Sequence, residues 1–206
     1  MALALLLALT IPYMPHDCPV ATVGAPGESD GILWRYCLPH VPMRLSHPSL
    51  PKLRPLPHGV PAEALVLDMP EGYQYLWAGP AELSLWQRAL GCKEGYKAHY
   101  WNDGVALYSV AFVFWDADGA HWYLRQLAEV AAEEGLEEVA CPLEGAEVIG
   151  HQRDMGNGVG YLITFRLGNL VCGVVLTVAN GIDADGAILA YELAQEALRQ
   201  AWAAVQ

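Results

Sequence analysis

The chain predicts an α+β fold, a mainly antiparallel sheet flanked by helices, and three observations carry that expectation. Along residues 63–206 the apolar positions switch between a period of 3.6 and a period of 2, so helices and strands are interleaved. Leu167-Gly168-Asn169 joins two strand patterns through a connection far too short for a parallel crossover. The pentapeptide DADGA occurs at residues 116–120 and again at 183–187, each time after an apolar strand and at a helix start. That echo predicts two pseudo-repeated strand-to-helix units.

Taken in order, residues 81–90 (AELSLWQRAL) predict a helix with Leu83, Trp86 and Leu90 on one face. A strand is expected over 96–101, Asn102-Asp103-Gly104 holds the Asp-Gly signal of a tight hairpin, and 105–115 forms the second strand. Alternation there puts Tyr108, Phe112 and Phe114 on one side and Leu107, Ala111 and Val113 on the other, as in a sheet buried on both faces. Residues 120–134 repeat Tyr123, Leu127, Val130 and Ala131 at helical spacing. A short segment at 138–142, strands at 146–153, 159–167 and 170–179, and an Ala-rich helix over 183–205 complete the order. In both DADGA words an Asp at the helix start accepts a backbone N–H and meets the positive end of the macrodipole, worth about 0.5 to 2 kcal/mol. A calcium loop of EF-hand type would need an acid where Leu127 and Ala194 stand, so no metal is assigned.

The 206 residues carry 11 Lys and Arg against 23 Asp and Glu, with 54% apolar and only 17% charged types. Such a composition excludes intrinsic disorder and disfavours nucleic-acid binding, which relies on cationic neutralisation of phosphates. The net −12 is unevenly spread: residues 1–30 hold three acids and no base, residues 31–62 hold Arg35, Arg44, Lys52 and Arg54 and no acid, and residues 63–206 hold the remaining 20 acids and seven bases. Residues 2–11 (ALALLLALTI), followed by Pro12 and Pro15, fit the h-region of a secretory signal better than a span of about 20 residues. No basic n-region precedes the run and no clear A-x-A site follows; the alternative is a buried N-terminal strand or helix. Pro15-His16-Asp17 before Cys18 is not a lipidation context. Seven prolines between residues 39 and 61, interleaved with His40, His47 and His58, predict an extended, polyproline-like arm. The expected organisation is a signal peptide at 1–17, a Pro-rich basic arm or linker at 18–62 and a single α+β domain at 63–206, with no membrane span in the mature chain.

Cys18, Cys37, Cys92, Cys141 and Cys172 show no C-x-x-C spacing, so neither a zinc ribbon nor a thioredoxin-like pair is indicated. Export permits disulfides, and one pairing it allows is Cys18 with Cys37 and Cys92 with Cys141, the sequence itself leaving the connectivity open; Cys172 reads as a small buried hydrophobe. Among nucleophile signatures G-x-S-x-G is absent and Ser109 lies within a strand. The glycines of Gly156-Asn157-Gly158-Val159-Gly160 precede a strand instead of opening a helix, so they form a hairpin turn and not a pyrophosphate cradle. His151, Arg153 and Asp154, with His121 in the preceding helix, form the best acid/base constellation, although their spacing does not require proton transfer. Seven Glu between Arg125 and Arg153, Glu147 among them, make a charge block that reads first as a solvated surface.

The succession of Met69-Pro70-Glu71-Gly72-Tyr73, a helix, YSVAFVFWDADGAHWYL, VIGHQRD, YLITFRLGNLVCGVVLTV and a closing Ala-rich helix resembles a loose group of uncharacterised bacterial exported or lipid-anchored α+β domains. A more distant likeness is to α/β/α sandwiches of the PsbP and Mog1 type. The resemblance runs from about residue 65 to 199, and Phe165-Arg166-Leu167-Gly168-Asn169 is its most telling word. His151 departs from it, standing where the group carries an acid. The resemblance implies an extracytoplasmic location and a non-catalytic role, and it supplies no catalytic residue.

The leading expectation is therefore an exported, non-enzymatic binding or interaction domain of the bacterial cell envelope, whether secreted, periplasmic or envelope-associated, with no cofactor. Its partner is an envelope protein or a small ligand. Nine aromatic residues crowd into positions 96–123, and Tyr100, Trp101, Trp115 and Trp122 are the candidate ligand-binding residues. Two alternatives stand beside it: a small-molecule or lipid carrier with an aromatic-lined cavity, and an extracytoplasmic hydrolase using His151 or His121.

Overall fold

The computed structural model describes residues 59–182 and 185–205. The apolar run at 2–11, the expected Cys18–Cys37 pair and the arm up to residue 58 lie outside them. After a 3-10 turn at Ala62–Leu65 come β1 (Gln74–Pro80), α1 (Leu85–Ala89), β2 (Cys92–Asn102), β3 (Val105–Phe114), α2 (Ala117–Glu133), β4 (Glu137–Glu138), β5 (Glu147–Asp154), β6 (Gly158–Leu167), β7 (Leu170–Ala179) and α3 (Gly186–Val205). The seven strands make one sheet in the order β1-β2-β3-β7-β6-β5-β4, every neighbouring pair antiparallel. The α+β fold expected from the sequence is the one found.

Two tight turns set the register of the central strands. Asp103 and Gly104 link β2 to β3 with φ values of 34° and 88°, the doubly positive geometry of a type I′ turn, which Asp tolerates and Gly adopts freely. Gly168, at φ 60°, leads the two-residue link from β6 to β7, as a type II′ turn requires. Asn169 then ties this hairpin to β3, its Nδ2 donating to the Phe114 carbonyl at 2.8 Å and its carbonyl accepting from the Phe114 N–H at 2.9 Å.

The pleat divides the core as the alternation of β3 predicts. Leu107, Ala111 and Val113 join Ile163, Phe165, Cys172, Val174 and Leu176 under α3, whose Ala190, Ala194, Ala197 and Ala201 bring the helix close to the sheet. Tyr108, Phe112 and Phe114 face the other way, beneath α2 and its Tyr123, Leu127 and Ala131. Residues 66–68 are sewn onto the α3 face. Leu67 N–H donates to Ser109 Oγ at 2.8 Å, the Tyr100 hydroxyl donates to the Leu67 carbonyl at 2.6 Å, and Gln200 Nε2 donates to the Val66 carbonyl at 2.6 Å.

Several boundaries differ from expectation for identifiable reasons. The helix expected over 81–90 contracts to Leu85–Ala89 because Ser84 and Gln87 form a reciprocal capping box, while the Ala81 N–H is already committed to the Gly95 carbonyl. Strand β1 has no counterpart in the sequence reading; it is an edge strand ending at Gly79-Pro80, where the missing proline donor is tolerated. The two DADGA words cap different registers. Asp116, the first Asp of its word, accepts from Gly119 N–H, whereas Asp185, the second Asp of the other, accepts from Ala187 and Ile188 N–H. Their helices pack on opposite faces of the sheet.

The expected Cys92–Cys141 disulfide is corrected. Both thiols are free and buried, as is Cys172, and they sit in separate clusters: Cys92 on the α2 face, Cys141 on the α3 face. Burial pushes the thiols of Cys92 and Cys172 up to about 12, so both behave as small apolar groups.

Candidate functional site

Most of the buried polar side chains, namely Gln87, His99, His151, Thr164 and Arg166, lie on the α2 face. Where the first turns of α2 meet β5 and β6, Glu147 Oε2 accepts from Arg166 Nε at 2.7 Å and is shared with His121 Nδ1 at 3.0 Å. Arg166 is only 8% exposed, and its Nη1 also donates to the Gly168 carbonyl at 2.9 Å. Burial works to raise the Glu147 carboxyl; the hydrogen bonds from His121 and Arg166 and the guanidinium charge outweigh it and hold the group below its ordinary value. In the neutral tautomer whose Nδ1 donates to the carboxylate, His121 Nε2 is the acceptor, the arrangement that a general base needs. The ring also meets Trp122 edge-on at 6.0 Å. Strand pairing explains the ion pair: Glu147 sits opposite Arg166 on the β5–β6 ladder.

The acid/base constellation expected from sequence is divided. His151 sits mid-strand, paired in register with Glu138 of β4; it is buried, and its Nδ1 has no hydrogen-bond partner. Burial lowers its pKa, with the Glu138 carboxylate opposing. Asp154 is spent in the turn after β5, accepting from Gly156 N–H at 2.7 Å. His121 turns instead to Glu147, which the sequence placed in a solvated acidic block. No spacing rule linked these two residues, because a helix start and a strand start meet only through the fold. The arginine of the FRLGN word was the available signal, since an inward Arg needs an acid.

The four aromatic candidates are likewise separated. Tyr100 is 4% exposed, on the α3 face, with its hydroxyl engaged by Leu67. Trp101 is half-buried and, through its pairing with Ala106, lies on the opposite side. Trp115 follows β3 at the far end of the hairpin, nine residues beyond Ala106 and so about 30 Å away by strand rise. It is 63% exposed, with Lys93 Nζ lying 4.6 Å from the ring centroid. Trp122 is on α2 beside His121.

A different aromatic group forms on the α2 face, where β1, β2 and β3 extend beyond the helix. His99 stacks on Tyr108 with ring centroids 3.8 Å apart, and Trp77 meets the imidazole edge-on at 6.3 Å. Lys97 lies 5.2 Å from the Trp77 ring centroid, and Trp101 occupies the next position of this face along β2. His99 is 4% exposed and neither ring nitrogen has a hydrogen-bond partner, so burial lowers its pKa to about 4. Sequence reasoning missed Trp77 because it missed β1.

Between α2 and the sheet, around Tyr123, Leu162 and Thr164, lies a void of about 10 Å³, room for about one water. Among the described residues no group of three or more His, Cys, Asp or Glu is placed to hold a metal ion, and no helix is long and apolar enough to cross a membrane.

No family model matches the chain, and no curated protein matches it. Among solved structures it is similar to the crystal structure of the extracellular domain of PknH from Mycobacterium tuberculosis, with a TM-score of 0.52 and 10% identity, over 68% of this chain and 95% of that one. An uncharacterised protein from Mycobacterium smegmatis matches at a TM-score of 0.36 and 16% identity, over 70% of this chain and 83% of that one. The likeness to the PknH domain is a likeness of fold.

Proposed function

We propose that residues 63–206 form an extracytoplasmic, non-enzymatic domain that binds a protein or envelope component on its α2 face. The fold carries this reading, because it spans nearly the whole of the extracellular domain of PknH from Mycobacterium tuberculosis. The apolar run at residues 2–11, read as an export signal, supports the same location. Trp77 and Trp101 are the anchors on that face, with Trp122 and the exposed Trp115 as outlying contacts, and Tyr100 holds β2 from beneath. The test is fractionation of cells making the full chain, followed by co-purification and mass spectrometry. The domain is expected with the envelope, together with a partner that Trp101→Ala loses; recovery only in cytosol overturns the proposal.

A second reading, an extracytoplasmic hydrolase using His121, is favoured by the carboxylate on Nδ1. It requires turnover of an ester substrate that His121→Ala abolishes and His151→Ala leaves intact. The carrier alternative needs a space of about 300 Å³ or more, well beyond the void beneath α2.

A further inference from the structure

The chain holds four asparagines, and two of them stand before a glycine: Asn157-Gly158 in the β5–β6 hairpin and Asn180-Gly181 just after β7. An asparagine side chain can be attacked by the backbone nitrogen of the next residue, and glycine permits the closest approach because it has no Cβ. Asn102 and Asn169 precede Asp103 and Leu170, whose side chains crowd that nitrogen. The sequence thus offers two equivalent words, and the structure makes them unequal.

Asn180 is held. Its Nδ2 donates to the Gly156 carbonyl at 2.9 Å, which commits the amide to the neighbouring hairpin, and its N–H donates to the Asn157 carbonyl at 2.9 Å. Asn157 is exposed, and among the described residues its side-chain amide has no hydrogen-bond partner. The nitrogen that would attack it is also unengaged across the bend: the Met155 N–H donates to the Gly158 carbonyl at 2.9 Å, but no bond returns from the Gly158 N–H to Met155. Packing fixes which residue follows Asn157. A Cβ at 158 would run into the Val178 carbonyl oxygen, so the close approach of β6 to β7 admits only glycine there. The bend before it is set by Gly156, at φ 79°, with its N–H bonded to Asp154 Oδ1 at 2.7 Å. The most reactive successor an asparagine can have is therefore built into the sheet.

We propose that Asn157 is a self-modification site of the folded domain. The Gly158 backbone nitrogen loses its proton and attacks Asn157 Cγ. The new N–C bond closes a succinimide, and the Cγ–Nδ2 bond breaks to release ammonia, which carries off the proton. Water then adds to one of the two ring carbonyls and opens the ring, leaving aspartate or isoaspartate; the net exchange is water for ammonia. The product adds a carboxylate to the bend that already holds Asp154, in a body with 20 acids against seven bases. The isoaspartyl form also turns the Asn157 carbonyl, the acceptor of the Asn180 N–H, into a free carboxylate and lengthens the chain by a methylene, which loosens the start of the β6–β7 ladder. The step involves neither the tryptophans of the α2 face nor any partner, so it stands or falls separately from the proposed function.

Trypsin separates the two words, since cleavage after Arg153, Arg166 and Arg199 puts Asn157 in the peptide 154–166 and Asn180 in the peptide 167–199. The full chain is kept folded at mildly alkaline pH, sampled over time, digested briefly and read by mass spectrometry for conversion of amide to acid. A parallel sample is kept in urea. In the folded chain, peptide 154–166 should convert about fivefold or more faster than 167–199, the rate equivalent of one intact hydrogen bond, and in urea the two should be alike. Part of the product should accept a methyl group from an isoaspartate carboxyl methyltransferase. Asn157→Gln should lose both signals while the rate for 167–199 stays unchanged, which reports that the fold is intact. Equal rates in the folded chain, or a ratio that is the same with and without urea, overturn the proposal. So does conversion at residue 157 that never yields an isoaspartyl product, because direct hydrolysis of the amide would then be acting.

Discussion

The two faces of the sheet use the same strands for different ends. Under α3 the contacts are apolar from Ala62 to Ala201, and Ser109, the Tyr100 hydroxyl and Gln200 each close a hydrogen bond to residues 66–68. Under α2 the apolar residues split into two smaller clusters, and between and beside them lie Gln87, His99, His151, Thr164 and Arg166. Buried side-chain atoms without a partner include both His99 nitrogens, His151 Nδ1, Trp86 Nε1 and Gln126 Oε1, all on this side. An unpaired buried polar atom costs stability, and such cost is tolerated where a site is at work more often than in a structural core. The contrast sets a well-satisfied core on the α3 face against an α2 face whose buried polar atoms are not all paired.

The sharpest way to break that contrast is a cavity under α3. Phe165 is fully buried there, and Phe165→Ala is expected to lower unfolding stability by about 3 to 5 kcal/mol in urea denaturation. A smaller loss than that of Leu162→Ala on the α2 face would show that the two faces share the load. Next is the ion pair of the α2 face. Removing one partner of a buried pair costs up to about 5 kcal/mol, but Glu147 is a third exposed, so Arg166→Met should cost about 2 to 3 kcal/mol, with the Glu147 carboxyl rising towards its ordinary value in an NMR titration.

The third prediction sharpens the contrast through pH. His99 is held neutral in the folded state with its pKa lowered to about 4, while the unfolded chain protonates it near 6.5. The unfolded state therefore binds more protons between those values, and stability falls as pH drops from about 6.5 towards 4. Integrated from pH 7.5 to 5, the loss is about 2 kcal/mol. Denaturation midpoints of the wild type and His99→Phe at the two pH values test this; equal slopes would mean that His99 is solvated. The smallest effect belongs to Trp115→Ala, which should change stability by less than about 0.5 kcal/mol because the ring is mostly exposed.

Much of the fold was legible because it is written in local rules. The alternation of β3 assigned Leu107 and Tyr108 to opposite faces, Asp103-Gly104 and Gly168-Asn169 announced their turns, and the Asp residues of the DADGA words mark both helix starts. Strand β1 was not legible, since Gly79 and Pro80 lower strand propensity and only pairing with β2 makes those residues a strand. The candidate site was least legible. Arg166, Glu147 and His121 belong to three elements, and the four tryptophan and tyrosine candidates, though close in sequence, are dispersed by pleat and strand length.

By itself the sequence determined the class of fold, the order of most elements, the central turns and the acidic, apolar-rich character of the body, because each depends on short-range periodicity, turn chemistry or composition. Only the tertiary structure decided that Cys92 and Cys141 lie on opposite faces, that Glu147 serves Arg166 and His121, and that His99 is enclosed between Trp77 and Tyr108. Those outcomes rest on which strands become neighbours and which helix covers which face. Long-range pairing sets both, and no window of sequence contains it.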